Sequence, residues 1–288
     1  MQLRTRQFFA LLTIFAFAIS VSTACGDDGG EGENGANGNN GVNGDNGDNG
    51  DNGSEVVGAG YTGCDGLPDV DDMAEGPELD ESYLTDGVYE VFNIETAARI
   101  QSVEVIPGTL RITNESIEPE EQLECLELPN LKVVEGSILG RHQTVGVGGG
   151  TLPEEITFES LTTVGEDFSF ANLRDALQRI DAPALTATNT DTDPTDHVQG
   201  AYFVNNEGLV EVSMPNLEEV FHLSVQENPV LETLDVSSLN EVSSWVQIVE
   251  NPSFSSCEAH GIADEVGSPP AVEVCDNYDD GCHEPCDS

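Results

Sequence analysis

The chain has 288 residues, with 55 acidic side chains against 8 basic ones and a net charge of −47. That balance excludes the basic face that nucleic-acid binding requires and argues against direct adhesion to anionic lipid. It favours solubility, weakens compaction by self-repulsion, and leaves a surface that salt or divalent cations would screen.

Residues 1–24 have the layout of a targeting segment. Arg4 and Arg6 form a basic start, and Phe8 to Val21 is an apolar stretch of the length expected of a signal peptide. It is too short and too poorly flanked to span a membrane. The segment ends Ser22-Thr23-Ala24-Cys25. Small residues before a Cys resemble a bacterial lipobox. The resemblance implies cleavage before Cys25 and a diacylglyceryl group on its sulfur. With Gly26 next, it points to the outer membrane or cell surface of a bacterial envelope, and Asp27 complicates the sorting signal.

Residues 25–58 read as a tether rich in Gly, Asn and Asp. Almost nothing in it is apolar, so burial cannot offset its ordering entropy. A Gly-rich chain of about 29 residues has a root-mean-square span of roughly 30 Å. The repeated Asp-Asn-Gly triplets offer oxygens that suit calcium, but without the spaced frame of an EF-hand loop. Weak calcium binding is the alternative to a plain tether.

Residues 59–288 carry the folded part. After an acidic stretch containing Cys64, Asp86-Gly87 marks a turn, and Val88 to Asn93 is a strand candidate. Asn93 can cap a short helix over Ile94–Gln101, with Glu95 in its first turn. Val103 to Ile106 and Thr109 to Thr113 read as the first strands. Residues 140–155 and 186–200 read as insertions that blur the middle repeats.

The clearest pattern lies between Leu209 and Pro252, where one phrase is written twice with a period of 22–23 residues. Leu209 matches Leu231, Leu217 matches Leu239, Val220 matches Val242, and Asn228-Pro229 matches Asn251-Pro252. A period of that size marks a solenoid, in which each unit covers the open face of the last. Weaker copies are Leu128-Pro129-Asn130-Leu131 leading to Val134, Phe158-Glu159-Ser160-Leu161 leading to Val164, and Ala182-Pro183-Ala184-Leu185. Leu131, Leu161, Leu217, Val220, Leu239 and Val242 are expected core. Alternating runs follow at Phe168 and Phe170, Ala201 and Phe203, Leu223 and Val225, and Val246 and Ile248. Period-two alternation predicts short strands with one face inward. Asn114, Asn172, Asn206, Asn228 and Asn251 close several of these runs and could form a ladder between turns. The helical phrase at residues 257–266 would cap the far end.

These phrases resemble the receptor L domain family, leucine-rich β-helix-like domains of receptor ectodomains and surface lipoproteins. The resemblance covers roughly residues 85–285. It rests on the Leu-Pro-x-Leu-x-x-Val phrases, the strand-plus-Asn endings and the terminus NPSFSSCEAHGIADEV. It implies a mainly β chain folded as a right-handed β-helix or leucine-rich-repeat-like solenoid with short capping helices. It also implies a non-catalytic module binding protein or glycan.

Seven Cys are present. With Cys25 lipidated, Cys64, Cys125, Cys257, Cys275, Cys282 and Cys286 make an even set in an exported protein, which implies disulfides. The preferred pairs are Cys64–Cys125, Cys257–Cys282 and Cys275–Cys286. The rival is zinc held by Cys275, Cys282, His283 and Cys286. His142, His197, His222, His260 and His283 stand in no catalytic phrase, and no phosphate loop or nucleophile elbow appears. No cofactor, metal or enzymatic activity is expected. A β-helix polysaccharide lyase is the enzyme alternative, short of bases because Lys132 is the only lysine. The other alternative is a structural envelope lipoprotein whose acidic surface holds cations and water. If a ligand patch exists, alternation places Tyr202, His222 and Trp245 outward on neighbouring turns, with Ser224 and Gln247 beside them.

Overall fold

The computed structural model describes residues 67, 74, 76–113, 123–141, 152–173, 177–188, 199–267 and 269–282. The chain divides into two units, residues 1–52 and 53–288. The first unit, with Cys25, Arg4 and Arg6, lies outside the described residues, as does most of the tether.

The second unit is a parallel β-solenoid of about five turns, each turn contributing to three faces. Strands are numbered in chain order. The first face stacks β1 (Val88–Val91), β3 (Thr109–Ile112), β6 (Ile138–Arg141), β9 (Phe168–Ala171) and β12 (Ala201–Val204). It continues through the C-terminal halves of β14 (Glu219–Gln226) and β16 (Glu241–Val249) to β17 (Ala271–Cys275). The second face stacks β4 (Cys125–Glu127), β7 (Glu155–Thr157), β10 (Arg179–Asp181), β13 (Glu211–Ser213) and β15 (Thr233–Asp235). The third stacks β2 (Val105–Ile106), β5 (Val133–Val134), β8 (Thr163–Val164), β11 (Ala187–Thr188) and the N-terminal halves of β14 and β16.

The Leu-Pro-x-Leu phrase is the corner between the second and third faces. In each copy the N–H of the fourth residue returns to the carbonyl of the first. The distances are 3.4 Å for Leu131 to Leu128, 3.1 Å for Leu185 to Ala182, 3.0 Å for Leu217 to Met214 and 2.9 Å for Leu239 to Val236. Pro129, Pro183 and Pro215 sit second in this turn, where their fixed φ suits the bend. Both apolar residues of the phrase point inward, and all six side chains expected in the core from this phrase are buried.

The core fills by complementary size between rungs. Gly140 is in register with Phe170, and a Cβ on Gly140 would lie 2.2 Å from the Phe170 ring. Phe170 stacks on Phe203 with centroids 6.3 Å apart, and Phe158 and Phe203 meet Phe168 edge-on. The middle turns therefore have an aromatic core, while the last ones are filled by Val225, Ile248 and Leu234 with Phe254 at the C-terminal end.

Two helices close the stack. Helix α1 runs Ile94–Arg99, shorter than the expected span to Gln101. Asn93 Oδ1 accepts from Thr96 N at 2.9 Å while Thr96 Oγ1 accepts from Asn93 N at 3.1 Å, a reciprocal cap. Ile94, Ala97 and Ala98 of its buried face seal the first turn. Helix α2 runs Ser256–Glu265, capped by Ser255, whose Oγ accepts from Glu258 N at 3.0 Å. Cys257 of α2 is bonded to Cys282 beyond β17.

The strands also depart from the sequence expectation: β1 ends at Val91 rather than Asn93 and β3 at Ile112 rather than Thr113. β2 begins at Val105 rather than Val103, because Val103 is already buried in the turn after α1. The chain also adds a further rung, β17, after the C-terminal helix. Its signal was legible: Val272-x-Val274 alternates, and Asp276-Asn277 repeats Glu250-Asn251.

Candidate functional site

The outer side of the first face is built by a change of period. Val220 pairs with Val242, but His222 pairs with Trp245, so β16 carries one more residue than β14 between those points. The extra residue is a bulge at Ser243-Ser244, and it explains why the repeat lengthens from 22 to 23 residues. Bulges re-aim side chains. This one turns Trp245 outward in line with His222.

The three aromatic residues meet. The His222 and Trp245 rings stack with centroids 4.3 Å apart at 13°. Tyr202 Oη and His222 Nδ1 share a hydrogen bond of 2.8 Å. Trp245 is 41% exposed and Tyr202 half-buried, but His222 is only 4% exposed. The expectation that all three form an exposed group needs that correction. Tyr202 and Trp245 flank the imidazole from adjacent rungs, and Phe221 lies against it at 4.6 Å, so an outward side chain is covered by its neighbours. Ser224, also outward, is buried beneath Gln226, whose Nε2 donates to Ser224 Oγ.

Burial sets the charge state of this group. It depresses the His222 pKa below 6.5, so the imidazole is neutral near pH 7. Burial, together with the nearby Asp167 charge, raises the Tyr202 phenol well above its usual value of 10.0. Asp167 itself is pushed up to about 6 by burial, with Glu166 adding to the rise and the Gly200 N–H opposing it. Asp167 Oδ1 is buried without a hydrogen-bond partner. Sequence reading missed Asp167, since an Asp after a turn carries no distinguishing signal.

Beyond Trp245 the face is polar. Gln226 Nε2 donates to Gln247 Oε1 at 2.7 Å, and Gln247 Nε2 donates to Glu273 Oε2 at 2.7 Å. No Lys or Arg follows Arg179 in the chain; Arg179 itself pairs with Glu211 at 2.8 Å, and the rungs after that one add carboxylates but no Lys or Arg.

Behind the strand ends runs an Asn ladder. Asn206, Asn228 and Asn251 each donate both backbone N–H and Nδ2 to Oδ1 of the next Asn, at 3.0–3.2 Å, ending at Asn277. Each Nδ2 also donates to a strand carbonyl: Phe170, Phe203, Val225 and Ile248 in turn. Asn172 is not in this column. It aligns with Asn205, to which it is hydrogen-bonded at 3.0 Å, and Leu173 holds the ladder position, its N–H donating to Asn206 Oδ1 at 3.2 Å. Asn114 lies outside the described residues. Asn172, Asn205, Glu227, Glu250 and Asp276 all have positive φ, between 52° and 59°. One left-handed residue per turn thus delivers the following residue inward, Leu173 first and an Asn on each later turn, and Glu227, Glu250 and Asp276 are lifted to a shared groove with Glu207.

Cys125 and Cys275 are also disulfide-bonded. The partners expected for them, Cys64 and Cys286, lie outside the described residues, as do His142, His197 and His283. With Cys275 and Cys282 both in disulfides, neither is free to be the thiolate ligand that the zinc alternative requires. Among the described residues the one grouping of metal-type ligands is Cys257, Asp280 and Cys282. Both its sulfurs are joined to each other.

Comparison with protein-family models, with curated proteins and with solved structures finds no match to this chain.

Proposed function

We propose that the chain is a lipid-anchored protein of a bacterial envelope, at the outer membrane or cell surface, and that its solenoid is a non-catalytic binding module. Its ligand is a protein or a glycan, and its contact surface is the outer side of the first face around Trp245. The single observation that supports this best is a half-exposed Trp held in place from one side. Trp245 is stacked on a buried His222, which is itself bonded to Tyr202. A rigid aromatic with one open face is the side chain that dominates binding energy at recognition surfaces. The lipobox-like STAC ending, the acidic tether and the resemblance to the receptor L domain support the display of this face away from a membrane.

A second reading has its own observation. The Glu227, Glu250 and Asp276 column favours a structural lipoprotein holding cations and water in its acidic groove. The test compares the chain with a Trp245→Ala variant on a glycan array and against purified extracellular proteins. A specific interaction that persists in high salt and is lost in Trp245→Ala supports the module. Binding erased by salt and indifferent to Trp245→Ala supports the structural reading. Anchoring is tested separately. A Cys25→Ser variant should leave the membrane fraction of a bacterial host, and retention there without lipid labelling rejects the anchor.

A further inference from the structure

Among the described residues the first face ends at β17. β17 pairs with β16 on one side and, among the described residues, with no strand on the other. Val272 occupies an inward register position opposite the buried Val246, yet it is 51% exposed. One rung below, Trp245 rests one indole face on His222. Because the rings stack along the direction of successive rungs, its other face points towards β17. There the residue in register is Ala271, whose methyl leaves most of that face open. Two positions along, on the same side of β17, is exposed Glu273. The Asn ladder stops on this rung at buried Asn277, whose counterparts each donate twice to a further Asn.

We propose that this edge docks an extended segment of a partner protein, laid parallel to β17 as the next rung, with an arginine in register with Ala271. The inference rests on the binding-module reading and names its partner class. The guanidinium stacks on the open face of Trp245 and pairs with Glu273; a planar cation does both at once, which an ammonium does not. The following residue is apolar and covers Val272. Charge selects the arginine. β16, α2 and β17 carry no Lys or Arg, and the edge presents Glu250, Glu273 and Asp276. Backbone pairing along an open strand edge supplies the affinity, and alternate side chains supply the specificity.

The probe is the peptide acetyl-Arg-Val-Thr-Val-Thr-Gly-Asn-amide, added to the full chain. Its Gly and Asn continue the left-handed and ladder positions of Asp276 and Asn277. The control replaces Arg by citrulline, its neutral isostere. Trp245 is the only Trp, so intrinsic fluorescence reads the site. The expected result is a saturable change with the Arg peptide and roughly tenfold weaker binding of the citrulline peptide, equivalent to about 1.4 kcal/mol. Glu273→Gln should weaken the Arg peptide alone. Trp245→Leu, followed by calorimetry, should bring the two peptides close together. Equal affinities for both peptides in the unaltered chain, or no saturable response, overturns the proposal. Neutral oligosaccharides of glucose and N-acetylglucosamine are titrated in parallel. A response to these without one to the peptides rejects the arginine segment and keeps the binding module. Silence to both counts against both.

Discussion

Asn228 is bound twice to one atom of Asn251: its backbone N–H and its Nδ2 both donate to Oδ1, at 3.0 and 3.1 Å. The same amide receives two bonds from Asn206 and gives another to the Phe203 carbonyl at 2.8 Å. Its neighbours in the ladder are fully buried, so every bond lost here strands a group away from water. An Asn228→Leu variant should lose several kcal/mol, since each orphaned buried polar group costs about 1–3 kcal/mol. Asn277→Ala, at the end of the ladder, should cost less. Urea denaturation of both variants checks the order, and an equal loss for the two would mean that the ladder is not cooperative.

Gly140 should tolerate no side chain while Phe170 stays. Gly140→Ala places a Cβ inside contact distance of the Phe170 ring, and overpacking of this kind costs about 1–3 kcal/mol. Combining Gly140→Ala with Phe170→Leu should cost less than the two separate losses together. A double-variant cycle in thermal denaturation measures this, and strict additivity would place the two residues out of contact.

Asp167 and His222 should bend the pH dependence of stability in opposite directions. The folded-state pKa of Asp167 is raised from 3.8 to about 6, so the folded chain binds its proton more tightly than the unfolded chain does. The associated stability is present below the unfolded value and is lost as pH rises through about 6. Asp167→Asn should therefore gain stability relative to the unaltered chain over this window. The pKa of His222 is lowered from 6.5 by burial. Its contribution is present above 6.5 and is lost as pH falls below it. His222→Gln should flatten that part of the curve. Urea midpoints across the series check both signs, and a pH-independent difference for Asp167→Asn would rule out a buried, titrating carboxylate.

The Cys257–Cys282 bond should hold the C-terminal cap. It closes a loop of sequence separation 25, for which the chain-entropy model gives about 3.5 kcal/mol. Cys282→Ser should lower the melting temperature and speed amide exchange in α2 and β17 before the central turns. The two segments are joined through Ser255 and Cys257, both of which donate to Asp280. Uniform loss of protection over the whole solenoid would show the cap to be inseparable from the stack.

The solenoid could be recognised from sequence alone because its determinants are local and repeated. Leu217 and Leu239, or Val220 and Val242, recur because every rung must bury the same inward positions, and period-two alternation marks which residues those are. The Asn ladder was legible for the same reason at Asn206, Asn228 and Asn251. It was misplaced by one residue at Asn172, where the left-handed turn position and the inward position are both polar and adjacent. What sequence could not decide is how outward side chains share the surface. Alternation puts His222 outside the barrel but cannot show that Tyr202 and Trp245 cover it. Asp167 gains its raised pKa from packing against distant rungs, and Trp245 gains its open face from an alanine on the next strand, 26 residues further along. Inward positions are fixed by a periodicity that any short stretch displays. The chemistry of the outer face depends on register between rungs, which one bulge at Ser243-Ser244 sets and only the assembled stack reveals.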